Sequence, residues 1–313
     1  MGEGSLKKIL WCGVLLVIFS WVGNYFYFHS KQIERPIFLE HYYESMNHET
    51  LQFTFYYLTN KSDPKEVHYV EIDNVVAYPM SDPGFQIWHG TEPQIQYEQA
   101  FRHQYLMAVT IQFPAMEREF IDQQNEPWSF HTMDVYFDDQ SIMAADIGEV
   151  IIRPLDDSNN FFDFQAGGSG NDHRSFTTLS ATEDATIENM SIPFPHVRDN
   201  IEVKLDHRSQ QADKTTATST STSVHRSLQT DWDDVSGDVV SEGMFPLQVK
   251  ENDVIHLSTL INSDQRNYLE FGIYLEGTTA DGQPFKSGDR IIDRPYLNQA
   301  EVNEIIKERQ GSS

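Results

Sequence analysis

LQFTFYYLTN (residues 51–60), KSDPK (61–65) and EVHYVEIDNVV (66–76) follow one another without a break, and their reading decides the fold class. The first run alternates apolar and polar positions and is dense in aromatics, the second holds turn residues, and the third alternates again. Side chains on a pleated strand point to opposite faces with a period of two, so the order is strand, turn, strand. The pattern continues outward. Ile95 and Tyr97 belong to a short run, and Tyr105, Met107, Val109, Ile111 and Phe113 keep the same period. WSFHTMDVYF (128–137), the turn DDQS and IMAADIGEVIIRP (142–154) give a further pair, while MEREFIDQQN (116–125) reads as a helical turn between strands.

From Leu155 the texture changes, because DDSNN and QAGGSGNDHRS are loop-forming, and a domain boundary is placed near residue 158. Strands are expected around SFTTLSA (175–181) and ATIENMSIPF (185–194). SQQADKTTATSTSTSVHRS (209–227) is too polar to bury a core and reads as a mobile loop. The alternation resumes in MFPLQVKENDVIHLSTLI (244–261) and YLEFGIYLEGTT (268–279), followed by the turn ADGQ and a short strand through Phe285. The last element is different in kind. Asn298 with Glu301 three residues later is a capping box, and Val302, Ile305 and Ile306 share one face of a helix ending near Gly311.

Many short strands with almost no helix make a mainly β fold, and the expected architecture is two immunoglobulin-like β-sandwich domains in tandem, 36–157 and 158–310, closed by the short C-terminal helix. No pair of cysteines marks an immunoglobulin bridge. The only cysteine, Cys12, lies in an apolar run, so disulfides and thiolate metal sites are excluded beyond it.

That run, ILWCGVLLVIFSWVGNYFYF (9–28), holds no charge, and at about 1.5 Å per residue it spans roughly 30 Å, one hydrocarbon core. Trp11 near one end and Tyr25 to Phe28 at the other suit the two interfaces. The expected layout is a signal-anchor: a cytoplasmic tail at 1–8, a transmembrane helix at 9–28, and the rest outside. Ser30 to Tyr43 reads as juxtamembrane chain, with 29–35 as the connector proper and the folded part starting near Pro36. A signal peptide cut after Ser20, with Ile18 at the third-last position, is the rival reading. Anchor, short basic tail and cysteine-free strands together resemble the uncharacterised single-pass membrane-anchored extracytoplasmic proteins of Gram-positive bacteria. The resemblance implies an extracellular folded part and carries no functional residue across.

Beyond Phe28 the chain holds 20 Lys and Arg (22 less Lys7 and Lys8) against 47 Asp and Glu (48 less Glu3), a balance of −27. Such a field repels nucleic acid, which is excluded as a partner, and anionic membranes. The acidity reads as a solvated surface or as adaptation to salt or alkaline surroundings.

Several short stretches spell parts of known catalytic or metal-binding motifs. Ser62-Asp63-Pro64-Lys65 with Lys286-Ser287-Gly288 copies the S-x-x-K and K-S/T-G of penicillin-binding serine enzymes, but that serine must open a buried helix and here it falls in a turn. Gly167-Gly168-Ser169-Gly170-Asn171 misses G-x-S-x-G by its last residue and reads as a flexible loop. Asp231 to Asp238 resembles a calcium loop in the wrong register, so a solvated acidic turn is expected, with an irregular calcium loop as the alternative. His131 and Asp134, three apart on a strand, are expected on opposite faces. Asp172-His173-Arg174-Ser175 and Asp206-His207-Arg208-Ser209 are one tetrapeptide twice, with Val224-His225-Arg226-Ser227 close to it; all read as surface loops, with a shared anion-binding role as the alternative. Trp88 and His89 read as a strand end rather than a groove wall.

No residue is therefore assigned a catalytic, cofactor-binding or metal-ligating role, and no cofactor is expected. The chain is expected to be a membrane-tethered binding or envelope-organising module whose partner is a protein or another envelope component. The alternative is an extracytoplasmic hydrolase whose site forms only in three dimensions. A sensor role would need a partner helix, because residues 1–8 cannot carry an output domain.

Overall fold

The aromatic run becomes β3 (Gln52–Asn60), which pairs antiparallel with β7 (Gln104–Gln112) from Gln52 opposite Gln112 to Asn60 opposite Gln104. This is a computed structural model of the chain, and it describes residues 3–47, 51–80, 95–113, 127–154, 161–170, 172–209 and 230–311. The expectations for 116–125, for Trp88 and His89, for His225, and for almost all of 209–227 lie outside those residues.

β1 (Ile37–Phe38) flanks β3, and β6 (Gln99–Ala100) flanks β7. Residues 61–66 do not close a hairpin. They carry the chain to a second layer of β4 (Val67–Ile72), β8 (Trp128–Phe137) and β9 (Ile142–Arg153). The alternation over 66–76 is two strands, because Asp73 and Asn74 have φ of 50° and 70° and turn the chain into β5 (Val75–Pro79). Asp and Asn tolerate that left-handed pair, which matches the twist of a two-residue hairpin. β5 pairs with β4 through Ala77 and with β7 from Tyr78, so it forms the corner between the layers. Phe55, Leu58, Ile111, Val135, Ile147 and Ile152 fill the core between them.

The strand that joins the two halves is β2 (His41–Met46), in the stretch read as juxtamembrane chain. It runs parallel to β9 on one side and to β17 (Tyr268–Thr279) on the other. Gly148, at φ 90°, is needed at this crossing, since a Cβ there would stand 2.5 Å from the His41 carbonyl oxygen. β17 holds β18 (Pro284–Asp293) along its other edge, with β12 (Ala185–Ser191) continuing the line of β2 and β15 (Leu247–Val249) beyond it. Among the described residues one sheet of 13 strands therefore runs through both halves.

Facing its second half is a five-stranded sheet in the order β10 (Phe162–Ser169), β11 (Arg174–Ala181), β16 (Val254–Ile261), β13 (Ile201–Arg208), β14 (Asp238–Val239). Ile187, Phe194, Ile255, Leu257, Phe271 and Leu275 form the core between these layers. Three sequence readings change here. Gly167 to Ser169 lie in β10 rather than a loop, with Gly168 against the Phe176 ring; 201–208 is a strand; and β18 runs on to Asp293.

α1 (Glu3–His29) contains an exposed apolar span, Leu10–His29, long enough to cross a membrane. The connector after it is packed onto the fold. Ile33 is buried, its N–H and carbonyl both hydrogen-bond the Asn60 amide (3.0 and 2.7 Å), and Gln104 Nε2 donates to the Lys31 carbonyl at 2.7 Å.

A one-turn helix, α2 (Pro195–Arg198), precedes β13, and α3 (Gln299–Gly311) ends the fold. The capping box forms as read: Asn298 Oδ1 accepts from the N–H of Glu301 at 3.2 Å and Glu301 Oε2 accepts from that of Asn298 at 2.7 Å. Its apolar face does not stay with the strands before it. Leu297, Val302 and Ile305 join the first core, so the boundary near 158 divides the chain but not the packing.

Candidate binding groove

A groove among the described residues is lined by strands of both layers of the second half. Met190 and Ile192, at the end of β12, face Val239 and Leu260 from the other sheet across a groove of about 640 Å³. α2 forms its end wall: Pro195 suits a first helical position, Val197 is buried as a peg, and Arg198 is left at the rim. Arg198 has no carboxylate within ion-pair distance among the described residues, although Asp199 is its neighbour. Asp172 at the same rim is engaged by Arg174 at 3.3 Å.

The floor continues past Asn200 and Asn262, where the Asn262 N–H donates to the Asn200 carbonyl at 2.9 Å, into a second crevice of about 340 Å³ beside α3. Arg309 crosses that crevice to reach Glu40 at 3.1 Å and Asp146 at 2.8 Å. Gln265, in its wall, is more than nine-tenths buried, and neither atom of its amide finds a hydrogen-bond partner among the described residues. The groove mixes apolar side chains with polar ones: Arg198 stands among the carboxylates of Asp172, Asp199 and Glu202 and the amides of Asn200 and Asn262, a lining that can hold an extended segment by its apolar side chains and its main-chain polar groups.

Of the residues singled out from sequence, Asp172 lines this groove and the other described ones lie elsewhere. Ser62 Oγ donates to Gln32 Oε1 at 2.8 Å, while Lys65 is held by Asp139 at 2.6 Å and Asp63 at 2.7 Å. The hydrogen bond to Asp139 is the main reason the Lys65 pKa rises, which makes it a poorer base still. Lys286 belongs to the second half, paired with Glu276 at 2.9 Å and lying 4.5 Å over the Tyr274 ring.

In the acidic turn, Trp232 and Val235 turn their carbonyls toward the buried Lys204 ammonium, at 2.6 and 3.3 Å, and Trp232 lies over it at 4.9 Å. A side-chain cation takes the backbone oxygens that the calcium alternative would use. No group of three or more His, Cys, Asp or Glu able to hold a metal occurs among the described residues.

His131 and Asp134 are not on opposite faces. A bulge between Phe130 and Thr132 shifts the phase, so Phe130 and Met133 are both buried and His131 and Asp134 both exposed. His131 Nδ1 lies 3.0 Å from the Gly148 carbonyl oxygen.

The repeated tetrapeptides are partly strand, at the starts of β11 and the end of β13, and share a pairing scheme. Each Arg meets the Asp of its own copy, Arg174 with Asp172 and Arg208 with Asp206 at 2.7 Å, while each His reaches a distant carboxylate, His173 to Asp293 and His207 to Asp253, both at 2.9 Å. Burial pushes the Asp293 carboxyl up, opposed by the His173 ring.

Sequence reasoning missed a row that crosses three strands: Thr178, His256 and Asp206 are in register, with Thr178 Oγ1 and His256 Nδ1 2.8 Å apart. Burial is the main cause of a lowered His256 pKa. Asp206 is turned to Arg208 instead of the ring, and Thr178 is buried. Only strand register could have revealed this row.

No family model matches the sequence, and no curated protein matches it either.

Proposed function

We propose that the chain is a membrane-tethered extracytoplasmic binding module, with α1 as the anchor, two immunoglobulin-like sandwiches outside, and the groove beside Arg198 as the place where an extended segment of an envelope partner lies. The observation that carries this reading is the groove itself, lined by both layers of the second half, with Met190, Ile192, Val239 and Leu260 along it and a guanidinium, Arg198, that no described carboxylate answers. Sheet edges and the clefts beside them recognise extended peptides through main-chain hydrogen bonds and alternate side chains, and a tether raises the local concentration at the surface.

A photo-crosslinking residue in place of Val239 in the full-length protein, in intact cells, tests the groove. One dominant adduct that Arg198→Glu abolishes is the expected result; adducts indifferent to that change defeat it. Degradation of the folded part by protease added outside checks the orientation.

The hydrolase reading retains one specific observation, the row Thr178, His256 and Asp206. Turnover of an ester or peptide that His256→Ala abolishes would favour it over binding.

A further inference from the structure

We propose that a collar of four cations around the exit of α1 binds anionic lipid headgroups and holds the folded part against the bilayer. The inference rests on reading α1 as a membrane anchor. In a chain this acidic, described cations such as Lys65, Arg153, Arg290 and Arg309 are answered by carboxylates. Lys31, Arg35, Lys61 and Arg102 have no carboxylate within 4.0 Å among the described residues, and all four sit at one end of the fold.

Their height is set by contacts to the helix end. Tyr27 and Phe28 belong to the aromatic cluster that an interface favours, and the His103 ring packs edge-on against both, at 6.2 and 6.1 Å. That places the turn containing Arg102 at headgroup level. The Lys61 N–H donates to the His103 carbonyl at 2.9 Å, which brings the 60–63 turn to the same level. Lys31 lies 5.7 Å over the Tyr27 ring and Lys61 5.0 Å over the Tyr105 ring, so both stems are directed by aromatic faces and not by ion pairs. Arg35 is exposed, two residues beyond the docked Ile33. Glu34, also exposed, is the one carboxylate within 29–35.

Cations near an anionic surface are attracted within about one Debye length. The remaining carboxylates of the fold are repelled by that same surface. The collar therefore offsets the repulsion at the one place where the fold must touch the bilayer.

The test is amide hydrogen exchange on the full-length protein in nanodiscs of phosphatidylcholine alone or mixed with phosphatidylglycerol. Exchange at 60–63 and 101–103 should be roughly ten-fold slower in the anionic discs and lose that difference at high salt, while β16 exchanges equally in both. Joint replacement Lys31→Gln, Arg35→Gln, Lys61→Gln and Arg102→Gln should remove the lipid dependence with β16 unchanged. Equal rates in the two lipids, or a difference that survives the joint replacement, overturn the collar alone. Failure of the protein to enter discs at all overturns the anchor reading and the collar with it.

Discussion

Glu44 accepts a hydrogen bond from the backbone N–H of Gly272 at 3.1 Å, across 228 positions of sequence. The same carboxylate takes the Tyr274 hydroxyl at 2.9 Å and the Arg153 Nε, and its side chain is only 3% exposed. β2, β9 and β17 are thus held together by one buried charge. Glu44→Ala leaves three donors facing a void, and we expect a loss of about 3–5 kcal/mol, the range for breaking a buried pair. Glu44→Gln should lose less, because it keeps an acceptor. Urea unfolding of both variants measures this, and a loss below about 1 kcal/mol for the alanine would show that the donors find water.

His41 gives the fold an acid-sensitive point. Its Nε2 accepts from the Tyr56 N–H at 2.9 Å, so the proton is on Nδ1, 3.3 Å from the Ile147 carbonyl oxygen. Burial lowers its pKa to about 3. In the unfolded chain the ring titrates near its ordinary value of 6.5. Between those values the unfolded state binds a proton that the folded state refuses, so stability falls as pH falls, by about 1.4 kcal/mol per pH unit. From about pH 6.5 to about pH 4 the wild type should lose about 3 kcal/mol more than His41→Gln. Parallel pH profiles would show that the ring is protonated in place.

The shared core predicts dependence between the halves. Ile305→Ala should cost about 2–4 kcal/mol, as for a buried isoleucine truncated in a core, although it lies far along the chain from the strands it covers. A fragment of residues 36–157, lacking Tyr268, Leu297, Val302 and Ile305, should show no cooperative thermal transition. A sharp transition from that fragment would establish it as an independent domain.

Gln265 carries two unsatisfied polar atoms in a buried position. Gln265→Met keeps the length and removes both, and should stabilise by about 1–2 kcal/mol. Unchanged or lower stability would mean that a bound water completes the amide, a point thermal melts can decide.

The runs of β3, β7, β8, β9 and β17 were legible because apolar residues recur at every second position along most of each, even where β3 is buried on both faces from Phe55 to Thr59, and Asn298 with Glu301 was legible because a capping box is local. β2 was not. A central parallel strand normally reads as a run of Val, Ile and Leu, whereas HYYESM is buried through its partners: His41 by two backbone groups, Glu44 by three donors. The 66–76 alternation hid its turn because Asp and Asn stood where glycine is the usual signal. His131 and Asp134 share an exposed face for the same kind of reason, since a bulge resets the period without leaving a mark in composition. The groove escaped altogether, being assembled from Met190, Arg198, Val239 and Leu260, none of which belongs to a motif.

Because β2 needs β17 on its far side and the first core needs Ile305, a nascent chain made from its amino end cannot finish the half it makes first. Until β17 emerges, the outer edge of β2 offers unpaired N–H and carbonyl groups, and until Val302 and Ile305 follow, the core beside it stays uncovered. Non-local pairing of this kind is slow and leaves sticky surface on display. A ribosome stalled just before residue 268 would therefore hold a folding intermediate in need of protection, and the segment a chaperone would find there is β2.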